Sequence, residues 1–121
     1  MFELKILTHF AAAHQLRLVA KKCENLHGHN WKVEVCVAGE KLNSAGVLID
    51  FGELKAHVNE IVGTLDHKYL NDLEMFSGNP SSENIAVYIA DALSERLAGT
   101  GIKISRVTTW ESEDACATYS P

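Results

Sequence analysis

The chain opens with an alternation of apolar and more polar side chains. Over residues 2–10 the even positions carry Phe, Leu, Ile, Thr and Phe, and over residues 31–38 the odd positions carry Trp and three Val residues. In an extended chain, successive side chains point to opposite faces. A hydrophobic pattern that repeats every two residues therefore predicts that both stretches are β-strands. The polar residues 15–26 between them are predicted to form a loop, and "NSAG" at 43–46 a turn.

Two later stretches follow the helical period. Asp50 and Glu53 have the spacing of a capping box at the start of the first helix. The second helix follows the loop "SGNPSSEN", with Ser81 or Ser82 as its N-cap, and glycines past residue 98 end it. The apolar stripes predicted to face the core are Phe51, Leu54, Val58, Ile61, Val62 and Leu65 in the first helix and Ile85, Tyr88, Ile89, Ala92 and Leu93 in the second.

Residues 102–111 and about 114–119 are predicted to be the last two strands, which gives the order β-β-α-α-β-β. Two amphipathic helices then cover one face of a four-stranded antiparallel sheet, an α+β fold in a single domain over residues 1–121. We expect Leu7, Cys36 and Val107 on the opposite face. Apolar residues there, together with open sheet edges, predict that the chain forms a homo-oligomer.

Charge and cysteine content narrow the class of protein. The net charge is −5 and no basic cluster is present, which argues against nucleic acid or an anionic membrane as the main partner. No apolar run approaches the roughly 20 residues of a transmembrane helix, and residues 1–7 lack the pattern of a targeting peptide. Three cysteines, an odd number, indicate reduced thiols and a cytoplasmic protein.

The stretch "CENLHGHNW" at residues 23–31 carries candidate metal chemistry. His27 and His29 point to the same side of an extended chain, and Gly28 between them allows close approach. His14 ends the first strand, and antiparallel pairing brings it beside the start of the second. Three neutral imidazoles with one open position are typical of a catalytic zinc site. The alternative is that they are ordinary polar or partly buried histidines.

Cys23 lies four residues before His27, in a charged loop. A nearby metal and imidazoles lower the pKa of a thiol, which makes its thiolate a usable base. The alternative is a buried, inert cysteine, and we assign Cys36 and Cys116 to that class.

Two further groups are candidates for acid–base and binding chemistry. Asp66 can orient His67 for proton transfer. His67 could instead interact with the helix dipole, or be a fourth zinc ligand that closes the site. Glu111, after Trp110, can hold a flat amidine-bearing ring through two parallel hydrogen bonds. A solvated glutamate at a strand end is the alternative.

Taken together, these segments resemble the 6-pyruvoyltetrahydropterin synthase and 6-carboxytetrahydropterin synthase family. The resemblance runs in order from about residue 6 to residue 119 and rests on "FAAAH", "CENLHGHNW", "GVLIDFGELK", "LDHKYLN", "NPSSENIA" and "TTWESE". It implies the tunnelling fold (T-fold), in which subunits join sheet edges into a barrel, with a hexamer, a dimer of trimers, as the common assembly.

The resemblance also implies roles for individual residues. The zinc ligands fall on His14, His27 and His29, and the catalytic cysteine falls on Cys23. Asp66 orients the catalytic His67 across a subunit interface, and Glu111 anchors the pterin. Ser82 and Glu83 match a segment near the pterin pocket.

The implied substrate is 7,8-dihydroneopterin triphosphate, whose side-chain hydroxyls are bound and acidified by zinc while the Cys23 thiolate abstracts a proton. In the 6-carboxytetrahydropterin branch this lyase chemistry releases acetaldehyde and triphosphate, for the synthesis of queuosine and other 7-deazapurines. In the 6-pyruvoyl branch an internal redox shift accompanies loss of triphosphate. The spacing from Cys23 to "HGH" and the short chain favour the 6-carboxytetrahydropterin branch.

Glu24 leaves alternatives open. It also creates "ExxHGH", which resembles a third branch that uses glutamate and yields 6-hydroxymethyl-7,8-dihydropterin for folate synthesis. A chain with both residues resembles members suspected of serving both pathways, although Glu24 could be a solvated loop carboxylate. An alternative from another class is a non-catalytic binding module, in which zinc held by the three histidines and His67 only stabilises the fold.

Overall fold

The computed structural model describes residues 1–16 and 26–121. Two short 3₁₀ turns, residues 70–72 and 74–76, precede the second helix. The strands and helices are β1 (Phe2–His14), β2 (His27–Gly39), α1 (Phe51–Gly63), β3 (Lys68–Tyr69), α2 (Ser82–Arg96), β4 (Lys103–Ser112) and β5 (Ala115–Tyr119).

The strands form one sheet in the order β3-β1-β2-β4-β5. The long strands β1 and β2 pair antiparallel over their whole length, from Phe2 opposite Gly39 to His14 opposite His27. The predicted α+β fold with two helices is confirmed, but the sheet has a fifth strand. β3 pairs parallel with β1 at Ala12 and Ala13, so the sheet is mixed. Two residues are too few to show a period, which is why the sequence pattern missed this strand.

Both helices pack on one face of the sheet. The side chains of Leu54 and Val58 from α1 and of Ile85 and Ile89 from α2 are fully buried. They join one core with the apolar face of β2, which confirms both predicted stripes in outline. Phe51 is the exception: it lies at the solvent-facing start of α1 and is exposed.

Val107 lies in this core, so its predicted place on the opposite face is wrong. The register between β2 and β4 shifts between Cys36 and Val37, which leaves Ser105 as an extra residue on β4. Such a β-bulge changes the alternation of side chains. Ile104 and Val107, three positions apart, therefore both face the helices.

Two cysteines fall within the described residues. Cys36 is buried, as predicted, on the face away from the helices, and burial raises the pKa of its thiol. Cys116 is exposed, so its assignment as a buried residue is wrong. It lies on β5, the edge strand of the sheet, which pairs with β4 along one side and, within the described part of the chain, has no strand on the other. Leu7, also on the face away from the helices, is exposed as well.

The predicted helix starts are present. The Asp50 carboxylate accepts a hydrogen bond from the Glu53 amide at 3.2 Å. Ser81, not Ser82, is the N-cap of α2, because its hydroxyl accepts from the Asn84 amide at 3.1 Å. Among the described residues, no helix has the length and apolar character needed to cross a membrane.

Candidate active site

Three imidazoles converge at one end of the sheet, where β1 ends and β2 begins. His14 pairs with His27 across the two strands, and His29 is two residues further along the same face of β2. The ring centroids are 4.6 Å apart for His14 and His27, 5.1 Å for His14 and His29, and 4.4 Å for His27 and His29. The convergence that was predicted from strand periodicity and antiparallel pairing is therefore present.

Trp31 packs beneath the imidazoles. It is fully buried, with its ring edge-on to His14 and His29 at centroid distances of 5.1 and 5.3 Å. Phe10 stacks beside it at 5.7 Å, and the indole N–H reaches the Ala12 carbonyl at 3.4 Å. Strand alternation placed Trp31 in the second strand and assigned it no role at the site. Its position two residues after His29 was the available signal, because residues two apart share a strand face.

A backbone carbonyl orients His14. The His14 side chain is fully buried, and its Nδ1 lies 2.8 Å from the carbonyl oxygen of Pro80. A carbonyl only accepts, so Nδ1 carries the proton, and in the neutral ring Nε2 has the free lone pair. Metal-binding histidines are usually held in this way by a partner behind the ring. No sequence pattern could indicate the Pro80 contact, because a backbone carbonyl has no residue signature.

Glu111, on β4, reaches the same point. Its Oε1 atom lies 2.9 Å from His14 Nε2, 2.8 Å from His29 Nε2 and 3.5 Å from His27 Nε2. Burial tends to raise the pKa of the Glu111 carboxyl, but the surrounding histidines outweigh it and hold the pKa below its ordinary value. The carboxylate is therefore ionised at neutral pH.

Burial favours the neutral form of the His29 ring. Burial lowers its pKa below 6.5; the negative charge of the Glu111 carboxylate acts in the opposite direction, and the nearby His27 and His14 rings act in the same direction as burial. Its buried Nε2 lacks hydrogen-bond geometry, even though Glu111 Oε1 is close. A lone pair on nitrogen and a carboxylate oxygen repel unless a proton or a metal cation lies between them.

These atoms fit a metal ion. One ligand atom from each of His14, His27, His29 and Glu111 can be chosen so that all lie within 4.8 Å of one another. Imidazole nitrogens with a carboxylate oxygen are donors that Zn²⁺ and similar transition metals prefer. The group can therefore hold a metal, with Glu111 rather than His67 as the fourth donor.

Asp66 and His67 form a pair of their own just past α1. The Asp66 carboxylate accepts from the Ala11 amide at 2.9 Å and lies 3.0 Å from His67 Nδ1. The Ala11 amide, more than the contact with His67, lowers the pKa of the Asp66 carboxyl. The His67 side chain is 82% exposed, and within the described chain it is not part of the histidine cluster.

The other predicted site residues are placed as follows. The Ser82 hydroxyl lies 2.7 Å from the Thr109 hydroxyl and 3.0 Å from the Thr109 carbonyl, so it ties α2 to β4. Glu83 is exposed in the first turn of α2. Cys23 and Glu24 lie outside the described residues.

Known sequences connect this geometry to one enzyme family. A sequence profile of the 6-pyruvoyl tetrahydropterin synthase family matches residues 3–121. A Synechocystis protein named 6-carboxy-5,6,7,8-tetrahydropterin synthase is 43% identical over 91 residues, which are 71% of this chain and 70% of that protein. A Pyrococcus furiosus protein named dihydroneopterin monophosphate aldolase is 37% identical over 105 residues, 87% of this chain and 85% of that protein.

A solved structure of a protein from this family has the same fold as this chain. Caenorhabditis elegans 6-pyruvoyl tetrahydropterin synthase superposes with a TM-score of 0.85 at 26% identity, over 99% of this chain and 95% of that one. The agreement extends over nearly all of both chains, as the profile match does. The chain therefore belongs to the 6-pyruvoyl tetrahydropterin synthase family of T-fold enzymes.

Proposed function

We propose that the chain is a zinc-dependent 6-carboxy-5,6,7,8-tetrahydropterin synthase. It converts 7,8-dihydroneopterin triphosphate to 6-carboxytetrahydropterin, with release of acetaldehyde and triphosphate, in the synthesis of queuosine and related 7-deazapurines. The observation that carries the proposal is the cluster of three imidazoles and Glu111 in a member of this family. The name of the Synechocystis relative supports this branch.

The proposed zinc ligands are His14, His27 and His29. Their neutral nitrogens suit Zn²⁺, and a three-histidine site leaves a position for substrate. Bound zinc supplies a Lewis acid that acidifies the hydroxyls of the substrate side chain. His14 contributes a fixed ring, because Pro80 holds its Nδ1, and buried Trp31 keeps water from the inner side of the cluster.

Glu111 is proposed to anchor the pterin ring. An ionised carboxylate can accept two parallel N–H bonds from the aminopyrimidinone edge of a pterin. The position of its Oε1 among the histidines also fits the alternative role of a fourth zinc ligand, which would occupy the position left for substrate. The two roles are separable, because a ligand is needed for metal binding and an anchor is needed only for substrate.

Cys23, His67 and Asp66 are proposed to move protons. The Cys23 thiolate is the base for the substrate side chain, and His67 is the relay. Asp66 holds His67 Nδ1, which leaves Nε2 of this exposed ring to reach a reacting group. We propose that this group lies in the histidine cluster of a neighbouring subunit.

A homo-oligomer, with a hexamer as the proposed state, is supported by the sheet edges. Among the described residues, β1 pairs along its outer edge with β3 at Ala12 and Ala13, and Ala11 bonds Asp66 and His67, which leaves the edge of residues 2–10 open. β5 forms the other edge. Open edges of this length pair readily with another chain.

A second candidate product is 6-hydroxymethyl-7,8-dihydropterin. The Pyrococcus furiosus relative is named as an aldolase of dihydroneopterin monophosphate, and aldol cleavage of that side chain leaves a hydroxymethyl group. Glu24 is the residue proposed for this side activity, beside Cys23. The 6-pyruvoyl reaction and a non-catalytic zinc-stabilised module are the remaining alternatives.

Product analysis tests the proposal. The zinc-loaded chain is incubated with 7,8-dihydroneopterin triphosphate, and pterins and acetaldehyde are identified by chromatography and mass spectrometry, beside Glu24→Ala. We expect 6-carboxytetrahydropterin and equimolar acetaldehyde, in amounts that the substitution does not change. A 6-hydroxymethyl product that disappears with Glu24 would assign a folate-type activity. No turnover with zinc bound would favour the non-catalytic module.

A further inference from the structure

Asn71, in the 3₁₀ turn that follows β3, makes three hydrogen bonds to main-chain atoms. Its Oδ1 accepts from the Gln15 amide at 2.8 Å, and its Nδ2 donates to the Gln15 carbonyl at 2.6 Å. Nδ2 also reaches the Gly78 carbonyl at 3.4 Å. The side chain is half-buried, so these contacts are partly shielded from water. Asn71 therefore connects two backbone segments that are far apart in sequence.

The first segment adjoins His14. On the N-terminal side of His14, Ala12 and Ala13 pair with β3. On the C-terminal side, the regular pairing of β1 stops. There the side-chain amide of Asn71 bonds both the N–H and the C=O of Gln15, as the backbone of a neighbouring strand would. The backbone is thus held on both sides of His14.

The second segment carries the carbonyl that orients the His14 ring. Gly78 lies two residues before Pro80, whose carbonyl accepts from His14 Nδ1. The Asn79 carbonyl in the same loop accepts from the Asn84 side chain at 2.8 Å, which fixes the other side of the loop. Asn71 consequently contacts both the chain that carries the ring and the loop that sets its direction.

We propose that Asn71 is a positioning residue for the metal centre. It fixes the backbone of His14 relative to the Pro80 carbonyl, so that Nε2 is aimed at the point shared with His27 and His29. Asn71 touches neither metal nor substrate and acts only through His14. This inference rests on the proposed zinc-binding role of the three histidines.

Two substitutions and a matched control test the inference. Asn71→Ala removes all three bonds. Asn71→Asp has the same shape but can only accept, so it loses both donated bonds and sets a carboxylate against two carbonyls. The control, Asn59→Ala, removes an asparagine that also bonds β1, through the Thr8 hydroxyl at 3.0 Å, away from the cluster.

The measurements are zinc affinity by chelator competition, visible absorption of the Co²⁺-loaded proteins, and thermal unfolding of the metal-free proteins. Both Asn71 variants are expected to bind zinc about 10- to 100-fold more weakly than the wild type, as is usual when a partner behind a ligand is lost. Their Co²⁺ bands should shift because the His14 nitrogen is displaced. Asn59→Ala should keep the wild-type zinc affinity and spectrum even if its unfolding temperature falls.

A measurement on the wild type does not depend on the variants folding. If His14 geometry and the Asn71 bonds are coupled, zinc binding should slow hydrogen exchange at the Gln15 amide. Unchanged exchange, or Asn71 variants with wild-type zinc affinity and Co²⁺ spectrum, would overturn the inference while leaving the proposed function intact. A wild-type chain that binds neither metal would overturn both.

Discussion

Replacing two proposed ligands of the same zinc ion separates the stability that the metal provides from the stability that each imidazole ring provides. His14→Ala and His27→Ala should both abolish stoichiometric zinc binding. They should differ in the metal-free protein, because the His14 side chain is fully buried whereas the His27 side chain is 28% exposed. His14 also satisfies the Pro80 carbonyl, which would lose its partner.

The structure sets the size of the difference. Loss of a partner for a buried carbonyl costs about 1–3 kcal/mol, and the cavity left by a buried ring adds to this, so about 2–4 kcal/mol is expected for His14→Ala. For His27→Ala, less than about 1 kcal/mol is expected because of its partial exposure. In a domain of this length about 1 kcal/mol shifts Tm by roughly 4 °C. Metal-free His14→Ala should therefore melt roughly 8–16 °C below the wild type, and His27→Ala within about 4 °C.

The assay is thermal unfolding by circular dichroism with excess chelator, with zinc content measured by elemental analysis on separate samples. Equal Tm values for the two metal-free variants would show that the Pro80 contact and the burial of the His14 ring do not stabilise the fold. Stoichiometric zinc in His27→Ala would refute the three-histidine site itself.

Three other predictions concern the proposed catalytic groups. Glu111→Gln should keep zinc but weaken pterin binding by about 10-fold or more in a fluorescence titration, because an amide cannot accept both ring N–H bonds; loss of zinc would make Glu111 a ligand instead. Cys23→Ala and His67→Ala should each be inactive with zinc bound, and co-refolding them in equal amounts should restore about a quarter of wild-type activity if His67 serves a neighbouring subunit; no recovery would contradict a shared site. The pKa of the Asp66 carboxyl is lowered below 3.8, so its ionised form should stabilise the fold above pH 3.8, and this stabilisation should be lost as pH falls through the lowered pKa. In Asp66→Asn, the free energy of unfolding should therefore fall less steeply at acid pH than in the wild type. An unchanged dependence on acid pH would contradict this prediction.

Local pattern predicted the parts of the fold that local physics determines. Strand alternation and the caps at Asp50 and Ser81 follow from residues near each other in sequence, and the structure contains them. The parallel strand β3 and the bulge at Ser105 depend on pairing between distant segments. No period within a short window reports such pairing, which is why Val107 was assigned to the wrong face.

The same distinction between local and long-range features applies to the candidate site. The meeting of His14, His27 and His29 followed from period two and one antiparallel pair. The approach of Glu111 to the histidines required the register of β4 on β2. The contacts of Pro80 and Asn71 use backbone atoms, which have no residue signature.

The dependence of product formation on zinc tests whether the chain is a zinc-dependent synthase. The metal-free chain, with 7,8-dihydroneopterin triphosphate in excess, is titrated with Zn²⁺ while the initial rate of 6-carboxytetrahydropterin formation is followed, with His27→Ala as the control. The rate should rise linearly, level off at one zinc per chain, and stay at zero in the control. Full activity in the metal-free chain, or a zinc-loaded chain that forms no 6-carboxytetrahydropterin, would contradict the proposed function.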